Sequence, residues 1–186
     1  KVNLDLLVDK LSYNKMIGNN FKVNVLLTNS SLYVKNGSMR GSGGSAINFD
    51  AQLIPKQQLV FFKSNIIIKE GEISKFLASF NNFGVESFSP ENIKGKLSLT
   101  SSVAGTLNSN KDLIKSSVVG DLKFYIEKGI LTDFEPIQKI GKTVFPNRDV
   151  NHITFSDLHG LATIKGDRVL VKEFKITSNV LNMDVN

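Results

Sequence analysis

Hydrophobic and polar positions alternate with a period of two along most of this chain. Val2, Leu4, Leu6 and Val8 alternate with Asn3, Asp5 and Asp9; Phe21, Val23, Val25 and Leu27 stand opposite Lys22, Asn24 and Thr28; Ile47, Phe49, Ala51 and Leu53 stand opposite Asn48, Asp50 and Gln52. Successive side chains of a strand point to opposite faces, so each run predicts a strand with one apolar and one wet side. Val60, Phe62, Ile66 and Ile68 continue the pattern, but Leu59, Phe61 and Ile67 make this strand apolar on both sides, which predicts a central or covered position. Leu97, Leu99 and Val103 follow, then Leu122, Phe124 and Ile126 against Lys123, Tyr125 and Glu127. Near the end, Lys165-Gly166-Asp167 predicts a tight hairpin turn between two apolar runs, the glycine supplying the positive φ.

Two stretches break the alternation. From Glu72 to Phe83, Ile73, Phe76, Leu77 and Phe80 take the i, i+3, i+4, i+7 spacing of an amphipathic helix, with Gly84 as a stop. From Phe134 to Val144, Ile137, Ile140 and Val144 do the same before Pro146. Ser89 followed by Pro90 reads as a helical turn with its N-cap. The alternating runs number about nine to eleven, so two short helices cannot cover them. The expected architecture is mainly β: a long curved antiparallel sheet, as an open groove or a partly closed sandwich, with two short amphipathic helices. The run Gly41 to Ser45 predicts a hairpin tip, since alternation resumes directly after it.

Length and composition bound the function. At 186 residues the chain suits one all-β domain spanning 1–186, and alternation up to both ends leads us to expect a fragment of a longer, membrane-anchored protein. With no cysteine, disulfides and thiolate metal sites are excluded. The net charge of +6 comes from lysines scattered over the wet phases of strands; Arg occurs only at positions 40, 148 and 168. That scatter describes a solubilising surface that discourages edge pairing, with weak attraction to anionic lipid headgroups as the alternative, and not the clustered basic and stacking groups of a nucleic-acid binder.

Candidate chemistry is sparse. Gly141-Lys142-Thr143 matches the end of a phosphate-binding loop, but the glycine required five positions earlier is Pro136. His152 and His159, with Asp149 and Asp157 nearby, lie seven residues apart; in a strand without a bulge they would point to opposite faces, which is wrong for a shared metal. No serine sits in a nucleophile elbow, and no paired carboxylates occupy an apolar setting. We expect no catalytic activity and no cofactor.

The chain from residue 120 onward carries a series of recurring phrases. Gly120-Asp121-Leu122 opens a strand, and Lys128-Gly129-Ile130-Leu131 is followed by Asp133-Phe134-Glu135-Pro136. Ile153-Thr154-Phe155, Leu158-His159-Gly160 and Ile176-Thr177-Ser178 come later, with looser counterparts in Gly95-Lys96-Leu97 and Gly105-Thr106-Leu107. These phrases resemble the C-terminal region of the AsmA-like family of bacterial envelope proteins, related to bridge-like lipid transfer proteins. The resemblance implies a long curved sheet with an apolar concave face. It further implies a parent protein anchored in the inner membrane and projecting into the periplasm, with a part in phospholipid transport to the outer membrane or in outer-membrane assembly. Membrane contact would then be made by parts of the parent protein outside this stretch.

On that implication the chain is a non-catalytic lipid-binding module whose apolar face solvates phospholipid acyl chains. The wall residues would be Val23, Val25, Phe49, Leu53, Phe62, Ile66, Leu97, Leu99, Leu122, Phe124, Ile126, Ile164, Phe174 and Ile176, with a helix around Phe76 and Phe80 at one end of the groove. Thirteen phenylalanines and no tryptophan suit such a wall, because a phenyl ring leaves no hydrogen-bonding group unsatisfied against hydrocarbon. The alternative is a structural or protein-interaction β domain with a dry core and no cargo, whose partners would be other envelope proteins.

Overall fold

The alternating runs become ten strands that join one antiparallel sheet in chain order, each hydrogen-bonded only to its sequence neighbours. They are β1 (Val2–Tyr13), β2 (Met16–Leu27), β3 (Leu32–Arg40), β4 (Ala46–Lys56), β5 (Leu59–Glu72), β6 (Ile93–Leu107), β7 (Val119–Thr132), β8 (His152–Lys165), β9 (Arg168–Ser178) and β10 (Asn182–Val185). The structure is a computed structural model and describes residues 1–13, 16–79, 82, 89–135, 138–139, 148–180 and 182–185. One α-helix is described, α1 (Ile73–Ser79). It occupies the first half of the expected helical stretch; Phe80 and Phe83 lie outside the described residues. So does most of the second expected helix, of which Gln138 N donating to Phe134 O (3.1 Å) and a Lys139–Glu135 ion pair (2.7 Å) are described.

The sheet is a single open layer. β1 and β10 close no ring; the strand pairs in extensive contact are chain neighbours, with α1 added against β5 and β6 and the 42–44 turn against β2 and β5. The partly closed sandwich is therefore not what forms. Surface area supports the same conclusion: the chain exposes 11917 Å², where a compact protein of 20.5 kDa exposes roughly 8,900 Å². β5 is central, as its sequence predicts, yet Leu59, Phe61 and Ile67 are 37%, 41% and 41% exposed, so its second face is not covered.

Because the order is a simple meander, connections alternate between two ends of the sheet, and the ends differ. At one end sit the Gly41 to Ser45 tip, the long connections after β5 and β7, and the short one after β9. Their residues Ile73, Val150 and Val180 pack with Ile93, Leu97, Ile126, Leu131, Ile153, Phe155 and Ile176 into the main hydrophobic core, Ile153 being fully buried. A 3-10 turn at Pro90–Asn92 helps fix this end: the Ser89 hydroxyl accepts from Glu91 N, Asn92 Oδ1 accepts from Ser89 N, and Asn92 Nδ2 donates to Thr132 O. We call this the capped end. The opposite, hairpin end carries short turns after β2, β4 and β8 and the 108–118 segment after β6. There Gly166 takes φ 64° in the two-residue turn between Lys165 and Arg168.

Bulges bend the strands. Asn20, Asn36, Glu70 and Lys128 take left-handed backbone angles (φ 52°, 54°, 55° and 50°), each at or beside a shift in strand register. A bulge places two residues against one, which curves the strand and increases its twist. On β4 to β8 the apolar face is mostly the less exposed one, whereas the apolar side chains of β1 stay exposed. In β7, Leu122 and Phe124 are half-buried while Asp121, Lys123 and Tyr125 are exposed.

Phenyl rings complete the burial of that face. Gly37 pairs with Phe49, Gly105 with Phe62, Gly129 with Phe155, and Gly160 lies between Phe124 and Phe174. A Cβ placed on Gly37, Gly105 or Gly129 would run into the facing ring, so the rings lie flat over the glycine backbone instead of standing away from the sheet. Two substitutions separate this packing from ordinary surface. Ile153→Ala should cost about 2–4 kcal/mol and Gly129→Ala about 1–3 kcal/mol, since Phe155, only 4% exposed, has no room to yield. Leu7→Ser, at a position 74% exposed, should change stability by under about 0.5 kcal/mol in the same denaturant titration.

Candidate functional site

Directly opposed residues of an antiparallel pair share a face, so the registers trace apolar rows across the sheet. One row runs Leu4, Val25, Val34, Ala51, Ser64, Val103, Gly120, Ile164, Val169 over nine strands. A second runs Phe49, Ile66, Ser101, Leu122, Ala162, Val171, and a third Ile47, Ile68, Leu99, Phe124, Gly160, Phe174. Leu27, Leu32, Leu53, Phe62 and Gly105 form a row nearer the hairpin end. Leu97, Ile126, Leu158 and Ile176 form one nearer the capped end, and Val23 sits beside Leu6. Every wall residue expected from the sequence thus falls on one face. With ten strands about 4.8 Å apart, that face extends roughly 43 Å across the strands.

The wall residues are not equally accessible. Leu97, Ile126 and Ile176 are each 3% exposed and belong to the packed core, so they form the closed floor at the capped end and not an open wall. Val23 is also buried, at 6%. Leu99, Phe124 and Phe174 pack against the core from its edge, as do Phe76 and Leu77 of α1, which puts Phe76 at the capped end of the face; Phe80 lies outside the described residues. Val25, Phe49, Leu53, Phe62, Ile66, Leu122 and Ile164 are half-buried away from that core. The face opens fully at β1, where Val2, Leu4, Leu6 and Val8 are 39–50% exposed.

The opposite face is polar and holds the titratable groups. A bulge between Phe155 and Asp157 changes the strand's parity, so His152 and His159 share this outer face instead of lying on opposite ones. They are still seven residues apart, on the order of 20 Å, and no group of three or more potential metal ligands occurs among the described residues. His159 Nδ1 lies 3.1 Å from Asp157 Oδ1, and its ring lies 5.8 Å from that of Tyr125. Desolvation, and secondarily the negative charges of Glu127 and Asp157, raise the Tyr125 phenol above its ordinary value. At the capped end a hydrogen bond from Lys75, 2.9 Å away, lowers the Glu72 carboxyl. These are neighbour effects of a wet sheet surface, where the Ser156 hydroxyl also donates to Asp157 Oδ2 (3.1 Å). Gly141-Lys142-Thr143 lies outside the described residues, and no described helix is long and apolar enough to cross a membrane.

Comparison with protein-family models, with curated proteins and with solved structures finds no match. The site therefore rests on its own geometry. Sequence reading found the apolar rows but not the packed core at one end, because Ile73, Val150 and Val180 come from connections whose docking no strand periodicity encodes. The electrostatic account of the outer face is open to test: Glu127→Gln with Asp157→Asn should lower the Tyr125 pKa, read as phenolate absorbance after subtracting the Tyr125→Phe titration. An unchanged titration would remove the charge contribution and leave desolvation alone.

Proposed function

We propose that this chain is a non-catalytic lipid-binding module, its apolar face solvating the acyl chains of phospholipid. The observation that carries the reading is an apolar face continuous over nine strands on which, among the described residues, no second layer packs outside the capped end. Burying hydrocarbon is worth about 0.8 kcal/mol per CH₂, so an acyl chain of ordinary length laid along such a face would lose on the order of 10 kcal/mol of its exposure to water. The flat phenyl rings suit this use, since they offer hydrocarbon without donors or acceptors to leave unpaired. The AsmA-like phrases of the sequence support placing the module in the periplasm, within an inner-membrane-anchored envelope protein concerned with phospholipid transport or outer-membrane assembly.

The discriminating positions are half-buried wall residues outside the core. Phe124 is unsuitable, because its ring packs against the core and an aspartate there would unfold the protein under either reading. Val25→Asp combined with Ile66→Asp should preserve a cooperative thermal transition while reducing co-purified phospholipid, seen by native mass spectrometry, at least tenfold. Wild-type protein that is repeatedly lipid-free and takes up no added lipid would overturn the proposal. It would favour the alternative, an interaction domain whose face is covered by another protein.

A further inference from the structure

We infer that the hairpin end is a docking rim for a bilayer surface rich in anionic headgroups. The inference extends the lipid-binding reading but draws on a different part of the molecule, the turns and strand tips opposite the capped end. Six large apolar side chains there are turned to water: Leu27 (47%), Leu59 (37%), Leu113 (47%), Val119 (53%), Val169 (47%) and Leu170 (45%). All lie within three residues of a hairpin-end turn or inside one. Among the described residues the capped end shows nothing comparable; its apolar side chains are gathered into the core, and Ile17 is the one large hydrophobic exposed near its turns.

Charge tells which surface these side chains meet. Lys56, Lys111, Lys115, Lys165 and Arg168 share the rim, all exposed, against Asp112, Asp121 and Asp167. None of the five basic groups takes part in an ion pair among the described residues. The β8–β9 turn is held beside the 115–118 segment by Gly166 N donating to Val118 O (2.7 Å), which gathers Lys115, Lys165 and Arg168 into one corner. Exposed aliphatic tips interspersed with lysines describe an interfacial membrane contact, in which apolar tips enter the headgroup region and ammonium groups stay with the phosphates. The tips come from both faces of the sheet and are strung along its edge rather than gathered in a patch. A fluid surface accommodates that arrangement; a protein partner would need a matching pocket for each.

The rim lies beside the row formed by Leu27, Leu32, Leu53 and Phe62, so docking there would place the uncovered face next to the bilayer.

The test is flotation of the whole chain with vesicles of phosphatidylcholine alone and of phosphatidylcholine mixed with phosphatidylglycerol. Binding should be strong only to the mixed vesicles and should fall with salt. Each basic group near an anionic surface is worth about fivefold, so Lys56→Gln, Lys115→Gln and Lys165→Gln together should weaken binding by on the order of 100-fold. Leu59→Ser with Leu113→Ser should weaken it by roughly tenfold. A matched triple on the outer face, Lys22→Gln, Lys63→Gln and Lys123→Gln, should leave binding close to wild type. The inference is overturned if the wild-type chain floats with neither vesicle, or with both equally. It is also overturned if the outer-face triple weakens binding as much as the rim triple does. Uptake of a soluble fluorescent fatty acid without vesicles, measured on the same proteins, reads the apolar face separately: normal uptake with no flotation defeats the rim alone, and normal flotation with no uptake defeats the lipid-carrying face alone.

Discussion

Everything in this structure depends on how a single sheet keeps apolar side chains out of water where, among the described residues, no second layer packs on them outside the capped end. The device is the phenyl ring laid over a cross-strand glycine. At Gly37–Phe49, Gly105–Phe62, Gly129–Phe155 and Gly160 between Phe124 and Phe174, the absent Cβ lets a large ring lie along the backbone. A ring lying flat buries one side against the sheet and shields its row neighbours with its edges. At these positions the pairing itself accounts for both the phenylalanine and the glycine.

Curvature does the remaining work. The left-handed residues Asn20, Asn36, Glu70 and Lys128 interrupt the ladders in different strands, and each bulge bends its own strand. Glu70 and Lys128 have no conformational preference for that angle, unlike asparagine, and are held there by the pairing on either side. On the polar face Lys63, Lys123, Tyr125 and their neighbours stand in water, and the raised Tyr125 phenol lies within this surface ladder of charges.

Much of this was legible in the sequence. Strict alternation revealed nearly every strand and assigned the wall residues to a common face, because the pleat has a fixed period. Ser89-Pro90 and Lys165-Gly166-Asp167 announced their turns through side-chain capping and glycine φ. What escaped were features that depend on strands meeting. The parity change between Phe155 and Asp157, which brings His152 and His159 to one face, has no local signature; it exists only as a register shift between two strands. Leu97, Ile126 and Ile176 look like Leu122 or Ile164 in sequence, yet the docking of α1 and of Val150 and Val180 buries the first three and leaves the others half-open. Leu59, Phe61 and Ile67 suggested a strand covered on both sides; the outer face of β5 is nevertheless open.

The strictly sequential meander has a consequence of its own. Since each strand is hydrogen-bonded only to those before and after it in the chain, the sheet behaves as a one-dimensional array, closer to a repeat protein than to a globule with a shared core. Its cooperativity is passed from neighbour to neighbour, and it is unevenly anchored: β6 to β9 are tied together by the packed cluster, whereas β1 to β4 depend on their ladders and on the sheet's own curvature. Such an array can gain or lose a hairpin without rearranging the rest, so its length is free to vary independently of its cross-section.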